Sequence, residues 1–322
     1  MYIIGAGMAG LLAGAVNQTA TILEANSELP NNHQAVFRMR SNRIGHYLGI
    51  PFKEVQVHKA IWFEGEERPI SPRLAHYYSA KVTGKITQRS ILNTESPVTR
   101  WIPPVDFVEQ LAERCKKRIQ FGQRINCITP ERIYIKAEKR NRQIDRTNTP
   151  IISTMPMPML QRTLHDWDIA EDHPEYVTSE IFINHLKIKN CDTYATIYYP
   201  DPEMSVYRAT IDGDILITEG IGQISDSELY IVQQSFGITQ QLNFAYDLKN
   251  TLHKTKKISA IPTGQRHRII YNATTGHGVY SLGRYATWRP GVMLDDVFED
   301  IFVIKKLLAQ DQYSKRSYKQ GE

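Results

Sequence analysis

The feature that most constrains this chain is the glycine-rich turn that follows its first apolar residues. Residues 2–4 are predicted to form a short buried strand, and Gly5, Gly7 and Gly10 follow it in the spacing GxGxxG. In this spacing the first glycine allows a tight turn, the second lets the backbone approach a pyrophosphate, and the third lets the next helix pack closely. Residues 8–16 are small and apolar, so we predict a helix whose positive N-terminal end faces the phosphates. The pattern predicts a dinucleotide-binding unit.

A carboxylate after the second predicted strand narrows the choice of ligand. Residues 19–23 are rich in β-forming side chains, and Glu24 follows them directly. A carboxylate at this place accepts hydrogen bonds from the adenosine ribose hydroxyls and disfavours a ribose 2′-phosphate. NADP is therefore not expected, whereas NAD and FAD both remain open at this point.

Length and charge limit the class of protein and its partners. With 322 residues the chain exceeds the usual size of one hydrophobic core, so about two domains are expected. Its net charge of +5 suits an anionic ligand and permits a nucleic-acid partner without arguing for one. No apolar run approaches the roughly 18 residues that span a bilayer, and the first strand follows Met1 directly without a basic leader. We therefore expect a cytoplasmic protein with no membrane partner.

Cysteine and histidine spacing gives no sign of a metal centre. The three cysteines, Cys115, Cys127 and Cys191, lie far apart and form no CxxC pair, so buried free thiols are expected. The ten histidines show no close ligand spacing either. We therefore predict neither a disulfide framework nor a metal site.

The pattern of apolar residues changes twice along the chain. Alternating segments at 46–99 and 177–217 indicate antiparallel strands, whereas 150–154 and 279–282 are predicted as single buried strands. Helical spacing is predicted at 105–117, 225–236, 239–249 and 295–308. We predict an α/β fold in which a largely antiparallel β substrate domain is inserted into a Rossmann-type three-layer FAD-binding domain. The predicted parts are 1–45, 119–160 and 265–310 for the FAD-binding domain, 46–118 and 161–264 for the substrate domain, and 311–322 for a basic, mobile tail.

A second motif lies near the C-terminus and carries a family resemblance. Residues 281–288 read Ser-Leu-Gly-Arg-Tyr-Ala-Thr-Trp, and Asp295 and Asp296 follow. This stretch resembles the closing flavin motif of the FAD superfamily that contains monoamine oxidases, protoporphyrinogen oxidases and UDP-galactopyranose mutases. Weaker similarities to that group occur at 81–85, 151–156, 198–202 and 207–208. The resemblance implies that the dinucleotide is FAD, held along its length by distant segments of the chain.

The resemblance also implies roles for individual residues. Arg284 is expected beside the FAD pyrophosphate, where a guanidinium bonds two oxygens, and the helix that begins near Leu294 is expected to point at the flavin. Arg38 is expected to serve the phosphates, although residues 31–34 replace the family's glycine-rich turn. The predicted cofactor contacts are Gly5, Gly7, Ala9, Gly10, Glu24, Arg38, Ile125, Ser153, Gly283, Arg284, Val292 and Met293.

Flavin chemistry needs few protein groups, because the ring accepts the hydride while the protein positions the substrate. The candidates are His46, which follows the first cofactor segment; Lys59 and Arg208, which would bind an anionic substrate; and Trp288, which faces the flavin or packs in the core. For His46, Lys59 and Arg208 a solvated surface position is the alternative.

The expected function is oxidation of a small polar substrate, first of all an amine, by hydride transfer to FAD. One alternative is a non-redox flavoenzyme, like a UDP-sugar mutase or a lyase, that acts on a nucleotide or a modified base in DNA. In that case the basic stretches 136–146 and 315–319 would hold phosphates. A second alternative is a protein that binds the dinucleotide without turnover. No oligomeric state is predicted.

Overall fold

The computed structural model describes residues 1–29, 36–84, 86, 96–136, 141–147, 149–165, 167, 174–238 and 253–319. For residues 253–255 and 311–319 only the backbone is described. The loop predicted at residues 31–34, the helix predicted at 239–249 and the middle of the basic stretch 136–146 lie outside the described residues.

Strands are distributed over the whole described chain. In chain order they are β1 (Tyr2–Ile4), β2 (Thr21–Leu23), β3 (Lys53–Phe63), β4 (Glu66–Arg68), β5 (Val98–Ile102), β6 (Ile119–Gln120), β7 (Arg124–Ile128), β8 (Arg132–Lys136), β9 (Arg142–Asp145), β10 (Ile151–Ser153), β11 (Thr178–Lys187), β12 (Thr193–Tyr198), β13 (Val206–Gly213), β14 (Ile215–Ile221), β15 (His253–Ile258) and β16 (Val279–Ser281).

The helices lie between or after these strands along the chain. They are α1 (Met8–Val16), α2 (Arg43–Leu48), α3 (Pro72–Thr83), α4 (Phe107–Cys115), α5 (Met157–Thr163), α6 (Asp226–Ser235), α7 (Thr263–His277) and α8 (Leu294–Lys319). In the part of the chain described, none of them combines the length and apolar character needed to cross a bilayer.

A parallel sheet forms the middle layer of the half that is predicted to bind the dinucleotide. Its strand order is β16-β10-β1-β2-β6, and every neighbouring pair is parallel. Ile3 of β1 lies in register with Ile22 of β2 and Ile152 of β10, and all three are fully buried. The carboxyl ends of these strands therefore meet at one edge of the sheet, which is where parallel sheets bind ligands.

Helices α1, α4 and α8 cover one side of this sheet. Gly14 of α1 lets the helix lie close to its neighbours, because a Cβ there would stand 2.5 Å from Ile22 Cδ1 and 2.9 Å from Cys115 Sγ. Phe107, Leu111 and Cys115 of α4 share a core with α1. From its sequence this helix, within 46–118, is predicted to belong to the substrate domain, whereas in the structure its apolar stripe shares a core with α1.

The other side of the parallel sheet is covered by a second sheet and two helices. Strands β7, β8 and β9 form an antiparallel sheet whose buried residues, such as Ile128 and Ile133, share a core with Ile151 of β10. Helices α5 and α7 contribute Leu160 and Ile269 to the same core. The parallel sheet of this α/β fold therefore has helices on one side and a small antiparallel sheet with two helices on the other.

The large sheet holds the predicted substrate-binding half. Its order is β15-β11-β14-β13-β12-β3-β4, with β5 also paired to β3, and its pairs are antiparallel except for β12 beside β3. Helix α6 covers one face, where Val232 packs with Tyr199 and Ile211. Helix α3 packs on the opposite face, where Tyr78 meets Ile61. That opposite face carries the polar groups described below.

The basic tail predicted at 311–322 is helical in its backbone as far as Lys319, and residues 320–322 lie outside the described residues. Helix α8 continues from Leu294 to Lys319. Residues 309–319 contain neither glycine nor proline, and adding a residue to an existing helix costs far less than starting one. The basic stretch 315–319 is therefore helical in its backbone.

Candidate functional site

The glycine turn after β1 has the close contacts that its sequence predicts. Gly5 has a φ of +93°, and a Cβ there would lie 2.4 Å from the Oγ1 of Thr154. A Cβ on Gly10 would lie 1.9 Å from the carbonyl oxygen of Gly5, so only glycine lets α1 pack on the turn. Gly7 by contrast has no atom within 4 Å of its Cβ position. The turn is thus closely packed at Gly5 and Gly10, whereas the space at the Cβ position of Gly7 is open.

The N-terminus of α1 is open in the same place. Gly7 is the N-cap in an extended conformation, it offers no side-chain cap, and the first turn contains no acidic residue. The first N–H groups of a helix have no partner within the helix, and together with the helix dipole they favour an anion. The turn and the helix end therefore suit a phosphate group.

Glu24 is fixed at the edge of this turn by its own hydrogen bonds. Its side chain is only 5% exposed. Oε2 accepts the N–H of Ala6 at 2.6 Å, and Oε1 accepts the N–H of Asn26 at 2.9 Å. Each carboxylate oxygen has two acceptor positions, so one remains on each oxygen for a ribose hydroxyl.

The C-terminal motif lies directly against the glycine turn. Gly283 has a φ of +93°, and a Cβ on it would lie 2.9 Å from the Cβ of Ala9 in α1. The neighbouring Leu282 donates its N–H to the carbonyl of Ser153, at the end of β10, at 2.9 Å. The three predicted segments, at the two ends and in the middle of the chain, therefore meet at one edge of the parallel sheet.

Of the remaining predicted cofactor contacts, Ile125 and the residues near α8 lie around this edge. Ile125 is buried in the core that includes Ile4 at the end of β1. Arg284 donates from Nε and Nη2 to the carbonyl of Val292, at 3.1 and 2.9 Å. Val292 is buried, whereas Met293 is exposed. Arg284 therefore fixes the segment before α8, and within the described part of the chain its Nη1 has no hydrogen-bond partner.

Arg38 occupies a different place from the predicted one. It is 9% exposed and donates from Nε to Asp212 at 3.0 Å, from Nη1 to Thr196 at 3.0 Å, and from Nη2 to the carbonyl of Ile211. Burial lowers the pKa of Arg38, and Asp212 opposes that shift. A buried guanidinium needs acceptors, and here the large sheet supplies them instead of a phosphate. Arg38 thus joins the two halves of the molecule.

Trp288 lies in the core, which is one of the two positions its sequence allowed. It is buried, its indole N–H donates to the carbonyl of Ser259 at 2.9 Å, and its ring meets Tyr176 edge to face at 4.7 Å. With the ring and its only donor occupied, Trp288 supports packing and is not placed to face a substrate.

The other predicted catalytic residues are not brought together. His46 is exposed on α2, and its neighbour Tyr47 packs on Phe298 of α8. Lys59 is half-buried on β3, in register with Thr196 of β12. Arg208 lies on β13, the strand beside β12, in register with Tyr198.

A β-bulge sets the position of Arg208. The pairing of β13 with β14 shifts between Val206 and Arg208, so that Tyr207 is the additional residue. Val206 and Ala209 pack under α6, whereas Tyr207 packs with α3 on the opposite face. A bulge changes the alternation of side chains, and here it puts Tyr207 and Arg208 on the same face. We call this face, with Tyr198, Arg208 and Glu219 in register across β12, β13 and β14, the arginine face.

The carboxylate of Glu219 binds both side chains of the bulge. Tyr207 donates its hydroxyl to Oε1 at 2.9 Å, and Arg208 donates its Nε–H to Oε2. Lys257 of β15 lies with its Nζ 4.1 Å from the ring centroid of Tyr207. Burial opposes the charge of Glu219, but Arg208 and Lys257 outweigh it and lower the pKa of this carboxyl. Glu219 is therefore an anion and Arg208 a cation at neutral pH.

The glycine turn and the arginine face are connected through the C-terminal motif. Tyr285 donates its hydroxyl to the carbonyl of Lys256, beside Lys257, at 2.7 Å. Arg284 lies within electrostatic reach of Arg208 and Glu219. A ligand that starts at the glycine turn and passes Gly283 therefore approaches the arginine face.

Sequence reasoning missed several residues of this arrangement. Thr154 packs on Gly5, Asp212 binds Arg38, and Tyr207, Glu219 and Lys257 surround Arg208. Glu219 lies beyond the alternating segment predicted at 177–217, so no sequence signal paired it with Arg208. Arg146, in the stretch predicted to hold nucleic-acid phosphates, is buried instead and donates its Nε–H to the carbonyl of Pro130.

Comparison with known proteins gives similarity in fold alone. No protein-family model matches the chain, and no curated protein matches its sequence. Among solved structures, a fatty acid isomerase from P. acnes that produces CLA superposes with a TM-score of 0.60 at 13% identity, over 95% of this chain and 97% of that one. An oxidoreductase from Methanosarcina mazei superposes at 0.57 and 10% identity, over 95% and 99%.

A p-nitrophenol 4-monooxygenase from Pseudomonas putida superposes at 0.54 and 11% identity, over 96% of this chain and 78% of that one. The arrangement of the sheets is thus shared with proteins named for isomerisation, oxidoreduction and oxygenation. Such proteins share a fold that supports different reactions, so the reaction has to be argued from the site.

Proposed function

We propose that the protein is a flavin-dependent oxidoreductase that binds FAD along the glycine turn, Glu24 and the Gly283 turn. The observation that carries this proposal is the contact of Gly283 with Ala9, which brings two distant motifs to the N-terminus of α1. FAD needs such a second surface, because the glycine turn after β1 holds only its phosphates and the flavin half extends beyond them. The proteins of similar fold named as an oxidoreductase and a monooxygenase agree with it.

The residues present fit the cofactor. The open space above Gly7 and the uncapped end of α1 suit the pyrophosphate. The remaining acceptor positions of Glu24 suit the adenosine ribose, and Nη1 of Arg284 is available further along the same edge. When bound, FAD supplies hydride acceptance, and the chain has to bind and orient the substrate against it.

The arginine face is the proposed position of the substrate. It continues from the C-terminal motif and presents Arg208 beside Tyr198. The resemblance to amine oxidases suggests an amine as substrate. Among these cations a protonated amine is repelled, so an amine substrate has to bind in its neutral form or carry an anionic group as well.

A non-redox flavin reaction is the second candidate. The structure with the TM-score of 0.60 is named as an isomerase, and its length is matched almost completely. The arginine face orients a substrate equally well for isomerisation, since none of its contacts depends on net electron transfer.

The test is the absorbance of the purified protein, followed by anaerobic mixing with substrates. We expect a yellow protein whose flavin bands bleach with an oxidisable substrate and return in air. Turnover that appears only after the flavin has been reduced chemically supports the isomerase candidate instead. A colourless protein that binds NAD but not FAD contradicts both.

A further inference from the structure

We propose that the substrate carries an oxyanion that binds between the two Nη nitrogens of Arg208. This inference deepens the proposed function, on which it rests for the identity of the site. The chemistry is that of two oxygens facing one guanidinium, which a carboxylate and a phosphate share.

The orientation of the Arg208 guanidinium supports this proposal. Its Nε–H is taken by Glu219. Among the described residues neither Nη1 nor Nη2 has a hydrogen-bond partner, and the side chain of Arg208 is 37% exposed. Because one carboxylate fixes the planar group from its Nε side, the opposite edge is presented as a rigid pair of donors. Such a pair matches two oxygens of one anion.

The bulge, a shift in register between Val206 and Arg208, also supports the proposal. Without it, consecutive residues would alternate between faces, and Tyr207 and Arg208 would lie on opposite faces of the sheet. With it, both side chains reach the carboxylate of Glu219. Bulges concentrate next to binding sites, where they redirect a side chain. This one has the effect of aiming a charged group away from α6.

The balance of charge around Arg208 also supports the proposal. The cations Arg38, Lys257 and Arg284 lie within electrostatic reach of Arg208 or of its partner Glu219, and Arg38 pairs with the carboxylate of Asp212. With Arg208 and Glu219 included, these described residues comprise more cations than carboxylates. At partly buried positions such an excess is costly without an anion, and a bound oxyanion removes it.

The experiment is titration calorimetry of the flavin-loaded protein with benzoate, benzamide and inorganic phosphate. Benzoate and benzamide have the same shape, so their difference reports the charge. We expect the wild-type protein to bind benzoate at least about tenfold more tightly than benzamide. We expect Arg208→Met to bind benzoate at least about tenfold more weakly than the wild-type protein does. Arg208→Lys keeps the charge but loses the paired donors, and we expect it to retain only part of the affinity. Phosphate in place of benzoate identifies a phosphate-bearing substrate.

Arg132→Met is the matched control, because it removes the same charge from an exposed position on β8. If the wild-type protein binds benzoate no more tightly than benzamide and does not bind phosphate, the proposal is overturned. An unchanged anion affinity in Arg208→Lys also overturns it, even if Arg208→Met does not fold. Flavin content is measured separately for each protein. Loss of FAD with an unchanged preference for benzoate assigns Arg208 to the cofactor phosphates and also overturns the inference. If the wild-type protein binds benzoate but no flavin, the proposed function fails while the anion site stands.

Discussion

Replacement of Lys81 by methionine has an effect on stability that depends on pH. The Nζ of Lys81, on α3, donates to the carbonyls of Tyr199, Asp201 and Val206 at 2.9, 2.6 and 2.6 Å. It thereby attaches the helix to the turn between β12 and β13. Burial, only partly opposed by Asp201 and Glu228, lowers the pKa of this amine from 10.5 to about 8.

The sign of the pH effect follows from where each state releases its proton. The unfolded chain holds the proton up to a pH of about 10.5, whereas the folded protein releases it near 8. Between these values the unfolded state binds more protons, so the contribution of Lys81 to the free energy of unfolding rises with pH. At 1.36 kcal/mol for each pH unit the full rise is about 3 kcal/mol.

At pH 7, Lys81→Met loses three hydrogen bonds, which contribute about 1 kcal/mol each. This loss is offset because methionine also removes the free-energy cost of burying the charged amine. We expect Lys81→Met to be nearly neutral at pH 7 and to cost about 2–3 kcal/mol near pH 10. Urea unfolding followed by circular dichroism at both pH values measures the difference. Lys116→Met, at an exposed position on the surface, is the control and should show no such trend. A Lys81→Met effect that is equal at both pH values, or larger at pH 7, refutes the reasoning.

Three further substitutions test separate parts of the structure. Gly10→Ala should lower the stability and the FAD content together, because its methyl group would lie 1.9 Å from a backbone oxygen. Gly7→Ala places its methyl group where no atom lies within 4 Å, so this variant should fold normally and lose only FAD affinity. Asp212→Asn leaves the buried Arg38 without its counter-ion, and thermal unfolding should report a loss of about 2–3 kcal/mol; an unchanged melting temperature contradicts the assigned pair. Trp288→Phe removes one buried hydrogen bond and should cost about 1 kcal/mol without changing the flavin spectrum; a shifted spectrum would place the ring beside the cofactor.

The dinucleotide edge could be predicted because its constraints are local. Gly10 is required by its contact with the carbonyl of Gly5, Gly5 has the positive φ of the turn, and Glu24 follows its strand directly. Local rules of this kind have a fixed spacing and therefore a recognisable sequence pattern. The C-terminal Gly283 was found only through the resemblance, because its partner Ala9 lies at the other end of the chain.

The arginine face could not be predicted in the same way. The bulge at Tyr207 inserts one residue without a distinct pattern, and alternation alone separates Tyr207 from Arg208. The partner of Arg38 lies 174 residues away, so no spacing rule connects it with Asp212. Pairings of this kind depend on the register of distant strands, which only the folded structure determines.

The central claim is that FAD binds at the edge of the parallel sheet where the glycine turn and the C-terminal motif meet. The decisive measurement is an FAD titration of the wild-type protein, of Glu24→Gln and of the control Glu113→Gln, whose side chain is exposed on α4. We predict one FAD per wild-type chain and an unchanged affinity in the control. In Glu24→Gln we expect at least about tenfold weaker binding, because the amide nitrogen donates hydrogen bonds and cannot replace the carboxylate oxygen that accepts them. Equal FAD affinity in all three proteins, or a wild-type chain that binds no FAD, would contradict the account.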